Sequence, residues 1–227
     1  MNKIPKIQEP ELYKETAFTD CPFVQIVSDE CFEVEMQYPL LGLQNAEKDC
    51  FVRKEVYEKL VEAFSYLPKE YRFKILDAWR PFALQEELFY KYSAEITKKY
   101  HLENVPENER LKTINRFVSS PVNNEILPPI HTTGGAVDIT LIDSDGKECD
   151  MGSAFDEMGE TAYTAYYEDS KETHIADNRR ILYNAMISAG FTNLPSEWWH
   201  YDYGDRFWGY YTGKPAMYKG VFSRESI

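Results

Sequence analysis

The sequence predicts an α+β fold, with helices packed on an antiparallel sheet, and three observations lead there. Segments with an apolar residue near every fourth position are interspersed with β-branched and aromatic runs of strand length. They lack a regular strand-helix-strand rhythm, and no G-x-G-x-x-G follows a strand, so a doubly wound parallel sheet is not indicated. With 43% hydrophobic residues, 17 Tyr, 13 Phe and 4 Trp among 227, the chain can bury a sizeable core. No Gly/Ser linker, charge block or internal repeat divides it, so residues 1–227 are expected to form one domain.

In chain order, Phe23 to Val27 and Cys31 to Tyr38 flank the turn-like Ser28-Asp29-Glu30 and predict an N-terminal hairpin. From Glu47 the period changes: Val52, Val56, Leu60, Phe64 and Leu67 predict an amphipathic helix closed by Pro68. Arg72 to Ala78 reads as a strand. Pro81 then sits in the first turn of a helix, where a missing N–H is tolerated, and Leu84, Leu88, Phe89, Tyr92 and Ile96 form its apolar stripe to about Tyr100. A shorter helix is expected from Glu107 to Val118, stopped by Ser119-Ser120-Pro121. Ala136 to Ile142 reads as a strand, and Asp143-Ser144-Asp145-Gly146 turns the chain back antiparallel. Thr173 to Ala189 is helical with Gly190 as its cap. Trp199 to Tyr203 and Phe207 to Tyr211 read as aromatic strands around Gly204-Asp205.

Charge excludes some functions. The 25 Lys+Arg against 38 Asp+Glu give a net charge of −13, which argues against binding nucleic acid, since phosphate neutralisation needs a basic patch. Apolar runs fall far short of the roughly 20 residues that span a bilayer, and Met1 to Glu15 lacks the apolar core of a secretory signal. A soluble, cytoplasmic chain with no membrane partner is the expectation. Cys21, Cys31, Cys50 and Cys149 form no C-x-x-C pair, and reduced thiols are expected.

Four histidines are present. His101 and His174 lie among polar neighbours at a helix end and a helix start, where a solvated surface or cap role suffices. His131 opens His131-Thr132-Thr133-Gly134-Gly135-Ala136-Val137-Asp138, whose two glycines allow a sharp turn before the strand. In that strand Asp138 shares a face with Ala136 and Thr140, while Val137, Ile139 and Leu141 share the other. A mid-strand carboxylate is costly without a cationic partner. His200 closes Glu197-Trp198-Trp199-His200, in which Glu and His meet only if the chain bends, and Pro195-Ser196 makes a bend credible. The plainer reading of that motif is an aromatic core segment with an exposed glutamate.

Two imidazoles and one carboxylate match the three protein ligands of a catalytic zinc, one Zn²⁺ per chain, and the N2O set disfavours calcium and magnesium. Glu197 is then left over as a general base. Asp77-Ala78-Trp79-Arg80-Pro81 sets a guanidinium at a strand end, where it suits a developing oxyanion or, more plainly, pairs with a neighbouring acid. Asp143 to Gly146 fails as a calcium loop, because Lys147 occupies the next ligand position and no spaced Glu closes it.

These residues together resemble the zinc D-alanyl-D-alanine dipeptidases related to those of vancomycin-resistant bacteria. Asp77 to Pro81 is similar to the family's Asp-x-(aromatic)-Arg-Pro, His131 to Asp138 to its His-x-x-Gly-x-Ala-x-Asp, and Glu197 to His200 to its Glu-x-Trp-His. Met151 to Met158 resembles its Met-Gly-x-x-Phe-Asp, and the order agrees from about Tyr38 to Tyr201. The resemblance implies a zinc site in a cleft at the sheet, with His131, Asp138 and His200 as ligands. It implies Glu197 as the base and Arg80 as stabiliser of the tetrahedral intermediate. Asp156 would take the substrate's amino group and Tyr38 line the pocket. Two departures bear on specificity: Pro129-Ile130 precedes His131 where the family commonly has Ser-x-His, and Pro39-Leu40-Leu41-Gly42 replaces an Asn-Phe-containing stretch. The expected activity is hydrolysis of D-alanyl-D-alanine or a similar small dipeptide. Its rivals are a D,D- or L,D-carboxypeptidase or endopeptidase on peptidoglycan stem peptides, and a non-catalytic zinc-bearing peptide-binding module.

Overall fold

The computed structural model describes residues 1–115 and 117–227. An extended arm leads into β1 (Phe23–Ile26), β2 (Phe32–Val34) and the short helix α1 (Gln37–Leu40). Next come β3 (Cys50–Arg53), α2 (Lys54–Ser65), β4 (Arg72–Asp77), α3 (Phe82–Lys99) and α4 (Glu107–Ile114). A 3-10 turn at Ile130–Thr133 precedes β5 (Ala136–Ile142), followed by α5 (Thr173–Ser188), β6 (Thr192–Asn193), β7 (His200–Asp202) and α6 (Arg206–Thr212). None of the helices among the described residues is long and apolar enough to cross a membrane.

The α+β expectation holds, but the sheet is mixed rather than purely antiparallel. Its order is β2-β4-β5-β7-β6, with β2 parallel to β4 and the other pairs antiparallel. The expected N-terminal hairpin is absent: β1 pairs with β3, in a separate two-stranded ribbon. The Ser28-Asp29-Glu30 turn does form, with Asp29 Oδ1 accepting from the Cys31 and Phe32 amides. Partner choice is decided elsewhere. Phe32 is fully buried, stacked on Phe73 of β4, and that nonlocal burial outweighs local turn chemistry.

Three further expectations are corrected. The helix expected from Glu47 begins at Lys54, because Cys50 and Val52 are buried at a period of two in β3. Val52 fits either period when read with Val56 and Leu60, which is why the boundary is hidden in the sequence. Phe207 to Tyr211 is helical, not a strand: Asp205 Oδ1 accepts from the Phe207 and Trp208 amides as an N-cap, and Gly213 ends α6. The aromatic content favours a strand, yet caps at both ends favour a helix, and the caps prevail. Tyr38, expected at the end of a strand, lies in α1. The strands at β4 and β5 and the helices α3 and α5 match their expected spans, with Gly190 at φ +94° just past α5. Cys21, Cys31, Cys50 and Cys149 are all free thiols.

The core lies between the sheet and two helices. Phe73 and Ile75 of β4 and Val137, Ile139 and Leu141 of β5 pack with Val56 and Leu60 of α2 and Leu182 and Met186 of α5. A second cluster joins Leu84, Leu88, Tyr92 and Ile96 of α3 to Tyr38. Between Ile75 and Asp77 the ladder shifts: Ile75 faces Ile139, but Asp77, not Leu76, faces Asp138. That bulge brings the end of β4 into line with the middle of β5, as bulges beside functional sites commonly do.

Candidate metal centre and active site

Three neighbouring strands set one row of polar side chains. Asp77 lies across from Asp138, and Asp138 lies across from His200. His131 arrives from the 3-10 turn, which ends at Gly134 with φ +72°. Glycine is required there twice over, because a Cβ would also stand 2.2 Å from the Phe23 ring. Glu197 reaches the row through the bend that Pro195-Ser196 made credible. Its amide donates to Leu194 O and its carbonyl accepts from the His200 amide, so Glu197 Oε2 comes to 3.8 Å from His200 Nδ1.

The donor atoms converge closely enough to share one ion, all within 4.8 Å of one another. His131 Nε2 is 3.2 Å from His200 Nδ1 and 3.5 Å from Asp138 Oδ2, and His200 Nδ1 is 3.1 Å from Asp138 Oδ1. Bonds of about 2.0–2.1 Å at a tetrahedral angle place donor atoms about 3.3–3.4 Å apart. The outer ring nitrogens fix the tautomers that this needs. His131 Nδ1 donates to Ala78 O at 2.8 Å and His200 Nε2 to Asp202 Oδ1 at 2.8 Å, which leaves the inner nitrogens to face the ion. All three residues are buried.

The charges agree. Burial and the nearby Arg80 push His131 down to about 3, so it is neutral, as a ligand must be. Burial also disfavours a charge on His200, but Asp202 and Asp138 overcome it and hold the imidazole well above its ordinary range. Burial pushes Asp138 up, yet His131, His200 and Arg80 keep it below the usual carboxylate value. Burial raises Glu197 to about 8, with Asp138 and Asp156 adding to the rise. Its side chain keeps 25% of its surface open to the cleft, so water reaches it and tempers that rise.

Arg80 is held rigidly. Nε and Nη2 donate to Asp77 Oδ2 at 3.0 and 2.8 Å, Nη1 donates to Gln85 Oε1 at 3.0 Å, and Nη2 also donates to Tyr38 Oη at 3.3 Å. Burial pushes Asp77 up to about 7 against the pull of Arg80. Among the described residues these bonds leave one Nη1 hydrogen unused, and Nη2 lies 3.7 Å from Asp138 Oδ2. Asp156 has φ +63°, a left-handed conformation that aspartate tolerates better than most residues. Its carboxylate accepts a hydrogen bond from Tyr92 Oη, and burial raises its pKa.

Every site residue expected from the sequence thus lines one cleft of about 250 Å³: Tyr38, Arg80, His131, Asp138, Asp156, Glu197 and His200. His101 and His174 lie outside it, as expected. Sequence reasoning missed Asp202, Gln85 and Tyr92. Asp202 left a signal, since in a strand a residue two places from His200 shares its face. Tyr92 was legible only as part of an apolar stripe.

The chain is also similar to known proteins. Residues 40–214 match the peptidase family model described as D-ala-D-ala dipeptidase. The chain is 35% identical over 150 residues to the D-alanyl-D-alanine dipeptidase of Synechocystis sp., covering 60% of this chain and 61% of that protein. It is 40% identical over 72 residues to the D-alanyl-D-alanine dipeptidase of Escherichia coli, covering 32% of this chain and 36% of that one. The matches thus span about three fifths and about a third of those relatives. A solved structure of the vancomycin resistance D,D-pentapeptidase VanY with Zn(II) aligns over 77% of this chain and 86% of its own, at 14% identity and TM-score 0.40. With the family model matched over 175 of its 227 residues, from 40 to 214, the chain belongs to the D-Ala-D-Ala dipeptidase family.

Proposed function

We propose that this chain is a zinc-dependent dipeptidase that hydrolyses D-alanyl-D-alanine or a closely similar small dipeptide, and that residues 1–227 act as one domain. The observation that carries the reading is the buried group of His131, Asp138 and His200, whose ligand atoms all lie within 4.8 Å of one another, with the Glu197 carboxylate beside them. His131, Asp138 and His200 would hold the ion, and their N2O set suits zinc over the oxygen-seeking calcium and magnesium. When bound, zinc polarises a carbonyl and makes water more acidic.

The chain's own residues do the rest. Glu197 accepts a proton from the attacking water and returns it to the leaving amine. Arg80 offers its remaining Nη1 hydrogen to the carbonyl oxygen as negative charge develops there, and Asp77, Gln85 and Tyr38 spare it any reorganisation. Asp156, oriented by Tyr92, receives the substrate's ammonium. A dipeptide with a free amine suits such a site better than a blocked stem peptide.

The test is a hydrolysis panel. Free D-Ala-D-Ala should be cleaved, activity should vanish with a chelator, and added Zn²⁺ should restore it. Preference for the N-acetylated dipeptide would remove the dipeptidase reading. Zinc-free purified protein that added zinc neither activates nor stabilises against heat would remove the metal. Asp202→Asn keeps an acceptor for His200 Nε2 but removes its charge, so zinc affinity should fall about 10- to 100-fold in competition with a chromophoric chelator. Unchanged affinity would show that Asp202 does not support the ligand.

A further inference from the structure

One stretch of the N-terminal arm borders two adjoining spaces. Glu9 and Pro10 line the catalytic cleft, whereas Pro5, Lys6 and Ile7 line a neighbouring groove of about 860 Å³. Cleft and groove share Phe117 and Tyr163, and neighbouring arm residues line both, so the two spaces adjoin beneath the arm. The groove is rich in aromatic surface from Tyr100, Tyr163, Tyr166 and Tyr183, a lining that accepts peptide. The cleft itself, at about 250 Å³, lies below the roughly 300–1,000 Å³ of ordinary small-molecule sites.

The arm is fastened at its ends and along its length. Ile4 is buried, and its amide donates to Glu168 Oε1 at 2.9 Å; Thr16 bridges to Ala216. Between them Lys6 pairs with Asp169, Tyr211 Oη donates to Gln8 O, and Ser196 Oγ donates to Glu9 Oε2 at 3.4 Å. Ser196 is the residue before Glu197, so the arm's wall stands next to the proposed base. The whole arm lies outside residues 40–214, the part matched to the family.

We propose that arm residues 5–10 determine substrate length, closing the cleft off from the aromatic groove so that a dipeptide fits across Glu197 and a longer peptide does not. This rests on the peptidase reading above. An extended peptide needs about 3.3–3.6 Å more room for each added residue. The adjoining groove would provide that room once the wall is gone.

The experiment compares kcat/KM for D-Ala-D-Ala and tri-D-alanine in the intact chain, in Glu9→Gly/Pro10→Gly, and in a chain lacking residues 1–10, with thermal unfolding as the check on folding. The intact chain should strongly prefer the dipeptide. The tripeptide-to-dipeptide ratio should rise at least tenfold in the double variant and further in the truncated chain. The double variant keeps the fastenings at Ile4 and Thr16, so it decides the question should truncation unfold the protein. A ratio within twofold of the parent in the folded double variant would overturn the proposal, as would equal cleavage of both peptides by the intact chain, and either result leaves the peptidase reading standing. Cleavage of neither peptide by the intact zinc-loaded chain would overturn that reading and the arm's role with it.

Discussion

Glu197→Gln should reduce hydrolysis of D-Ala-D-Ala by about 10²–10⁴-fold, the span that one positioned base contributes, while zinc stays bound. Glutamine keeps the shape of the side chain and can still accept a hydrogen bond, but it cannot take up a proton at neutral pH. The wild-type carboxyl is raised to about 8 by burial, with Asp138 and Asp156 adding to it, so its proton affinity is unusually high for a glutamate. Glu197 lies 3.8 Å from His200 Nδ1 and is no member of the three-residue donor group. Metal content by elemental analysis should therefore match the parent. Parent-like turnover in the zinc-loaded variant would take the base role from Glu197, and loss of zinc would place it among the ligands instead.

Arg80 carries the other large effect, and two substitutions separate its charge from its shape. Arg80→Ala leaves the buried Asp77 without its cation, and breaking a buried pair in this way costs about 3–5 kcal/mol. At about 2–4 °C for each kcal/mol in a chain of this size, the unfolding midpoint should fall by roughly 6–20 °C. Arg80→Lys keeps a charge near Asp77 but cannot bond Asp77, Gln85 and Tyr38 together, because a single ammonium lacks the guanidinium fork. Its midpoint should fall less, yet its kcat should drop about 10²–10³-fold, as when one oxyanion donor is lost. Calorimetry and steady-state kinetics read the two effects apart. A lysine variant with parent-like kcat would make Arg80 a purely structural partner of Asp77.

The site was legible in the sequence because its residues lie in short contiguous motifs. Asp77 to Arg80, His131 to Asp138 and Glu197 to His200 each hold a reactive group next to the glycine, proline or strand pattern that positions it. The same contiguity exposed α3 and α5, whose periods are unbroken, and β4 and β5, whose apolar runs are of strand length. What stayed hidden depends on distant partners. Nothing near Phe32 says that it will stack on Phe73 in a parallel pair, and nothing near Tyr92 says that its hydroxyl meets a carboxylate 64 residues away. The helix at Phe207 was legible in principle, since Asp205 and Gly213 are ordinary cap residues, but the aromatic run between them favoured a strand.

The bulge in β4 has a consequence for how this site tolerates changes in chain length. Phe73 and Ile75 turn toward α2 and α5, and by simple alternation Asp77 would follow them into the apolar core. Leu76 is the odd residue that reverses the parity and delivers Asp77 to the side of Asp138. Deleting Leu76 would leave a straight ladder with Asp77 still opposite Asp138, whereas forcing the three residues into regular register would turn the carboxylate inward and strand Arg80. The guanidinium's support is thus written in the count of residues after Ile75 as much as in their identities.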